Sequence, residues 1–258
     1  MEWRSGRSTI KIYRWKAISC SGWKGAKNML NLMKLEMKRM NFLKIGVTFL
    51  LINAGIFGIL LLLGVDAEIT AESISAADEI MMFIEIMAVA AFVIYASVLL
   101  SNMIIEEFKS KTITVLFTTP VSRKQLLLAK VLVISLVTFV LFLVSVYLLA
   151  ILFSLLNNLY GILWFSFPLN LLWGNTVHLL VTGVAVAGMA LIPLFFGMMK
   201  YSVPATITSS ILIIAILSSS INSEGTNLFS FTAVPVALGI VGFIIAYLVI
   251  SKAVKKDF

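Results

Sequence analysis

The placement of lysine and arginine constrains this chain more than any single motif. Six apolar stretches, residues 42–65, 81–105, 131–156, 176–199, 203–221 and 232–250, punctuate its 258 residues. All 20 Lys and Arg residues fall in alternate gaps between them. Eleven, from Arg4 to Lys44, lie before the first stretch or at its mouth. Lys109, Lys111, Arg123, Lys124 and Lys130 separate the second from the third. Lys200 follows the fourth, and Lys252, Lys255 and Lys256 follow the sixth. The complementary gaps carry Asp66, Glu68, Glu72, Asp78, Glu79 and Glu224, and no basic residue. A count of five or seven stretches breaks this partition.

About 20 helical residues cross a bilayer core, and backbone in lipid must satisfy its own hydrogen bonds. The expected fold is therefore all-α: a polytopic membrane protein of six transmembrane helices. Basic loops stay in the cytoplasm. Both termini are expected there, in a bacterial plasma membrane. At 60% hydrophobic and 12% charged residues, the chain has too much apolar surface for a soluble core of its length. The net charge of +8 then reflects orientation and anionic headgroups, and nucleic acid is excluded as a partner. Cys20 is the single cysteine, so no intramolecular disulfide forms.

Residues 1–28 are read as a non-native or disordered extension, and 29–258 as one transmembrane domain. The extension has basic and aromatic residues but no apolar core, unlike a signal peptide. Lys24-Gly25-Ala26 can be encoded by a ribosome-binding sequence just upstream of Met29. From there Leu30, Met33, Met37 and Met40 follow helical spacing, with Lys34 and Lys38 tracking beside them. This predicts an amphipathic helix on the inner membrane surface. Tyr160, Trp164, Phe165, Phe167 and Trp173 crowd residues 157–175, which are read as an outer-leaflet segment or an exposed loop.

The most informative stretch is 106–130, EEFKSKTITVLFTTPVSRKQLLLAK. Ile113, Leu116 and Phe117 share one helical face, flanked by Thr residues. Pro120 ends this short helix, and Ser122 with Gln125 has capping-box spacing for a new helix that runs into span three. A helix too short to cross the membrane, with an apolar face, needs a docking surface.

This segment resembles the membrane subunits of ATP-binding-cassette transporters of the second export class. The resemblance rests on Glu107, Lys111, Thr112, Ile113, Leu116, Thr119, Pro120, Ser122, Arg123 and Lys130 in that order. It implies that Lys111, Thr112, Ile113, Leu116, Phe117, Thr119, Pro120, Ser122 and Arg123 form a coupling helix and its turn. That helix would contact a separate ATPase subunit. The resemblance also implies ATP and Mg bound on that partner, a second permease copy or a related permease, and export of amphipathic or hydrophobic cargo such as an antimicrobial peptide, lipid or drug.

No G-x-x-x-x-G-K-[ST] occurs, so this chain cradles no ATP phosphate by a P-loop. It has no cofactor of its own, no metal site and no catalytic residue in this reading. An intramembrane hydrolase is the least favoured alternative: His178 is the lone histidine, and no G-x-S-x-G is present. An ATPase-independent carrier or an immunity protein is the other alternative.

Glu85 is the only carboxylate inside a span. It either lines a translocation path or reaches for the headgroups. Asn53, with Ser218, Ser219 and Ser220, is a further candidate to face a cavity. His178 reads as an interfacial polar residue. Small residues in span four (Gly183, Ala187, Gly188, Ala190) and span six (Gly239, Gly242) predict close helix packing within the chain. Pro193, Pro204 and Pro235 are expected to kink or end helices.

Overall fold

The structure is a computed structural model, and it describes residues 29–66, 75–105, 123–160, 174–200, 202–219 and 233–255. Among these residues every regular element is helical. The helices are α1 (Met29–Arg39), α2 (Phe42–Asp66), α3 (Ser75–Leu100), α4 (Arg123–Tyr160), α5 (Thr176–Met189), α6 (Pro193–Lys200), α7 (Val203–Ser219) and α8 (Ala233–Lys255). A π-helical turn, Ser101–Ile105, finishes α3.

Among the described residues, five helical stretches are long and apolar enough to cross a membrane: Phe42–Leu62, Ile80–Ile105, Lys124–Leu156, Thr176–Met199 and Val234–Ser251. The sixth expected span corresponds to a shorter apolar helix, Val203–Leu217. Helix α4 opens at Arg123 and continues unbroken through span three, as the Ser122–Gln125 spacing anticipates. Ser122 itself and the rest of 106–122 lie outside the described residues, as do 161–173 and the extension 1–28.

Span four is discontinuous near Pro193, where a kink or helix end is expected, but the proline starts a helix. The span is two helices, α5 and α6, separated at Ala190, Leu191 and Ile192. Backbone bonds there tighten to three-residue spacing: Leu191 N–H donates to Gly188 O at 2.9 Å and Ile192 N–H to Met189 O at 3.1 Å. Pro193 has no N–H to give and is the first residue of α6. Pro204 and Pro235 likewise sit in the first turns of α7 and α8, where no donor is missed. All three prolines start helices here.

Helix α5 lies at the centre of the bundle, packed on α4 and α8. One core joins Ile84, Ala88 and Phe92 of α3 to Phe142, Val146 and Leu149 of α4 and to Leu179, Val186 and Met189 of α5. A second, nearer residue 105, joins Leu100, Ile104, Val131, Ile134, Leu191, Leu194, Ala246 and Ile250. Helix α2 is peripheral. Its Leu43, Leu50, Leu51 and Leu62 are exposed, and a Cβ added to Gly46, Gly55 or Gly58 would touch nothing. An apolar helix so bare is stable in hydrocarbon, where its outer face costs nothing to leave uncovered.

The small residues of spans four and six meet as expected. A methyl on Gly242 would collide with the Gly188 carbonyl, and one on Gly188 with the Gly239 carbonyl. A methyl on Gly239 would lie 2.8 Å from Ala185 Cα. These backbones touch, so α5 and α8 pack at a distance that only small residues allow.

Helix α1 forms where predicted, but it packs on a different stripe. The buried residues are Leu32, Glu36 and Met40, four apart, while Leu30 is 76% exposed. Met33 and Met37 flank the buried stripe. Of the apolar track used for the expectation, Met40 lies in the contact, Met33 and Met37 border it and Leu30 lies outside it. A charged residue, Glu36, occupies the middle.

Candidate functional site at the root of the 106–122 segment

Residues 105 and 123 bound the segment that carries the coupling-helix expectation, and the structure brings its two roots together. Lys130, on the second turn of α4, is 1% exposed. Its Nζ donates to the carbonyl oxygen of Met103 at 3.2 Å. Met103 lies in the π turn that ends α3. A π turn leaves its carbonyls poorly served, and an ammonium near a helix C-terminus satisfies them and complements the helix dipole. The clamp thus ties the π turn at the end of α3 to α4, about two turns inside its start. Lys130 belongs to the sequence motif, but sequence alone gave no partner for it.

Two further contacts seat this root. Gly197 of α6 lies so close to Ile105 Cδ1 and Thr206 Oγ1 that no Cβ fits. Helix α6, beyond the break in the span, therefore bears directly on the last residue of the π turn. Ser97 Oγ and Ser210 Oγ share a hydrogen bond of 3.0 Å between α3 and α7. One turn closer to the root, Ser101 is fully buried and its hydroxyl has no partner among the described residues. The π turn begins at Ser101.

Of the residues expected at the ATPase contact, Lys111, Thr112, Ile113, Leu116, Phe117, Thr119, Pro120 and Ser122 lie outside the described residues. Arg123 is the first residue of α4.

The opposite end of the bundle holds a second polar group. His178 Nδ1 lies 3.6 Å from Glu85 Oε1, joining α5 to α3. The Glu85 side chain is 16% exposed and the His178 side chain 36%. Thr182, one turn along α5 from His178, also hydrogen-bonds Glu85. Tyr147 OH donates to Thr176 Oγ1 at 3.3 Å and ties the same end of α5 to α4. His178, read as interfacial, and Glu85, read as a path or headgroup residue, are turned toward each other. Nothing in their separate spans signals this, because the pairing depends on how α3 and α5 rotate.

Asn53 is 4% exposed in the contact between α2 and α4. Its Nδ2 donates to Phe49 O at 2.8 Å, and Ser145 Oγ donates to its Oδ1 at 2.6 Å. Among the described residues no three His, Cys, Asp or Glu side chains converge.

A family profile described as ABC-2 family transporter protein matches residues 32–218, from within α1 to within α7. YcbO of Bacillus subtilis strain 168, an uncharacterized protein, is 33% identical over 229 residues, covering 88% of this chain and 100% of that protein. No solved structure matches. The chain belongs to the ABC-2 family of transporter proteins, as a multi-pass membrane permease subunit.

Proposed function

We propose that this chain is the membrane-spanning subunit of an ATP-driven exporter, with six spans and both ends in the cytoplasm. In that arrangement the 106–122 segment leaves the cytoplasmic face and docks on a separate ATPase through Ile113, Leu116 and Phe117. Lys111, Thr112, Thr119, Pro120, Ser122 and Arg123 shape or rim the docking helix. ATP and Mg belong to the ATPase, and a second permease, identical or related, completes the assembly. Cargo is amphipathic or hydrophobic, such as an antimicrobial peptide, a lipid or a drug.

The observation that carries this reading is the Lys130–Met103 clamp. A surface loop with no mechanical duty needs no buried ammonium at its root, and burying one is costly without a partner. Clamped roots transmit a push on the loop to α3 and α4 together. Through Gly197 that push also reaches α6, beyond the break in span four.

Of the two residues proposed for the path, Glu85 is retained, as a partly exposed carboxylate with a polar partner. Asn53 already has hydrogen-bond partners in Phe49 and Ser145.

The test is co-purification with the ATPase subunit and its ATP hydrolysis in the complex. Phe117→Asp is expected to abolish both while leaving the permease folded in the membrane. Retention of both would refute the coupling assignment and favour a carrier that works without an ATPase.

A further inference from the structure

The π turn at the end of α3, Ser101–Ile105, leaves one buried group unserved. Just before it, Ser97 is fully buried and doubly used. Its Oγ donates to Ile94 O at 2.7 Å and lies 3.0 Å from Ser210 Oγ of α7. Ser210 Oγ also donates back to Ile207 O at 2.7 Å. Ser101, one turn on from Ser97, is just as buried, yet its hydroxyl has no partner among the described residues. A buried hydroxyl left so is costly.

Helix α7 offers a partner. The two helices run antiparallel here: Ser97 meets Ser210, while Ile105 and Thr206 come together at Gly197. Four residues along each helix from the Ser97–Ser210 contact, toward the same end, bring Ser101 level with Thr206. Thr206 is fully buried. Its Oγ1 donates to Ser202 O at 3.2 Å, and a hydroxyl that donates once can still accept.

We propose that the π turn is a two-state hinge whose second state is a regular α-helix, in which Ser101 donates to Thr206. A π turn closes its hydrogen bonds over five residues and an α-helix over four. With α3 held at Ser97, recovery of the α register carries the chain beyond the turn round by about 100° and along by about 1.5 Å, the step of one residue. That step moves the root of the 106–122 segment. Lys130 holds the first state, because its Nζ takes the Met103 carbonyl, which a regular helix directs along its own axis. The π form thus has one liability, at Ser101, and one hold, at Lys130. Ser101, Thr206 and Lys130 are positioning residues: they act through the end of α3. That ATP drives the change rests on the coupling reading above. The two states themselves do not.

Two measurements test the hinge, and the first needs no ATPase. With Cys20→Ser, the only native cysteine is removed. Ser97→Cys with Ser210→Cys is then expected to form a disulfide under mild oxidation, and it reports an intact contact between α3 and α7. Ser101→Cys with Thr206→Cys is expected to cross-link about fivefold more when Lys130→Met releases the turn, with the Ser97–Ser210 control unchanged. Equal cross-linking with and without Lys130→Met would overturn the hinge. Should Lys130→Met disturb the control, the second measurement decides.

The second uses the full permease with its ATPase in proteoliposomes. A non-hydrolysable ATP analogue is expected to raise the Ser101–Thr206 cross-link about fivefold with Lys130 in place. Ser101→Ala is expected to leave folded complex at or above the native amount, because it removes the unpaired hydroxyl. It is also expected to lower permease-stimulated ATP hydrolysis about threefold, because it removes the bond that favours the second state. A purely structural serine would not separate these two readings. Full stimulation in Ser101→Ala, with a cross-link indifferent to the analogue, would overturn the hinge as a transmission element. Should Phe117→Asp prove silent, the coupling reading fails, and the response to Lys130→Met still reports on the hinge.

Discussion

Ser145 Oγ donates to Asn53 Oδ1 at 2.6 Å and gives the peripheral helix α2 a hydrogen bond to α4. Tyr95 of α3 adds a second polar tie to α2 through Thr48. These bonds add to the apolar packing of Ile45, Ile56 and Leu60 in setting the rotation of α2. Ser145→Ala is expected to cost about 0.6–1.7 kcal/mol, the range for hydrogen bonds between membrane helices. Unfolding in mixed micelles measures it. A loss well above that range would mean that α2 depends on Ser145 for more than one bond.

The glycine contacts of α5 and α8 allow a sharp comparison. Gly242→Ala drives a methyl into the Gly188 carbonyl and is expected to destabilise by about 1–3 kcal/mol, as overpacked sites do. Gly58→Ala adds a methyl where nothing lies within 4 Å. That variant is expected to be neutral, or more stable by up to about 1 kcal/mol from helix propensity. Equal effects of the two would refute the backbone contact.

Ser101 and Ser97 are one turn apart on the buried side of α3, yet they should respond in opposite ways. Ser101 carries an unpartnered buried hydroxyl, so Ser101→Ala is expected to be neutral or stabilising by about 1 kcal/mol. Ser97→Ala removes the bond to Ser210, whose hydroxyl keeps Ile207 O at 2.7 Å, and is expected to cost about 1 kcal/mol. The same micelle unfolding assay separates them.

The Glu85–His178 pair predicts a coupling between α3 and α5. Glu85→Gln and His178→Gln are each expected to destabilise by about 0.5–2 kcal/mol, and the double variant by less than the sum. Strict additivity would show that the two side chains do not act together. If Glu85 lines the path, Glu85→Gln lowers export as well, with assembly intact. Transport into inverted vesicles reads that second effect.

Much of this architecture is legible in the sequence, for clear physical reasons. The basic residues pick out alternate gaps because translocating charge is unfavourable. Gly188, Gly239 and Gly242 announce a close contact because only small residues permit one. Pro193 marks a discontinuity, although whether it kinks or starts a helix depends on the neighbours it meets. What could not be read depends on rotation. Glu36 is charged, and every amphipathic argument turns it toward water. It is buried because Leu32 and Met40, one turn to either side, pack on Ala129 and Val133 of α4. Glu85 and His178 escape notice for the same reason. A pattern along one helix says which face is apolar, but not which polar residue on another helix will come opposite.

The break in span four has one more consequence. Helix α5 has 14 residues, about 21 Å of rise, so the break falls roughly two-thirds of the way across a 30 Å hydrocarbon core. Irregular backbone at that depth survives only under a covering of protein. Ala190 and Leu191 are fully buried, and Ile192 lies under Gly242 of α8. The α5–α8 seam therefore cannot part in the bilayer without wetting the break with lipid. Any lateral opening of this subunit must begin on another side, where helices end in side chains and no polar backbone waits beneath.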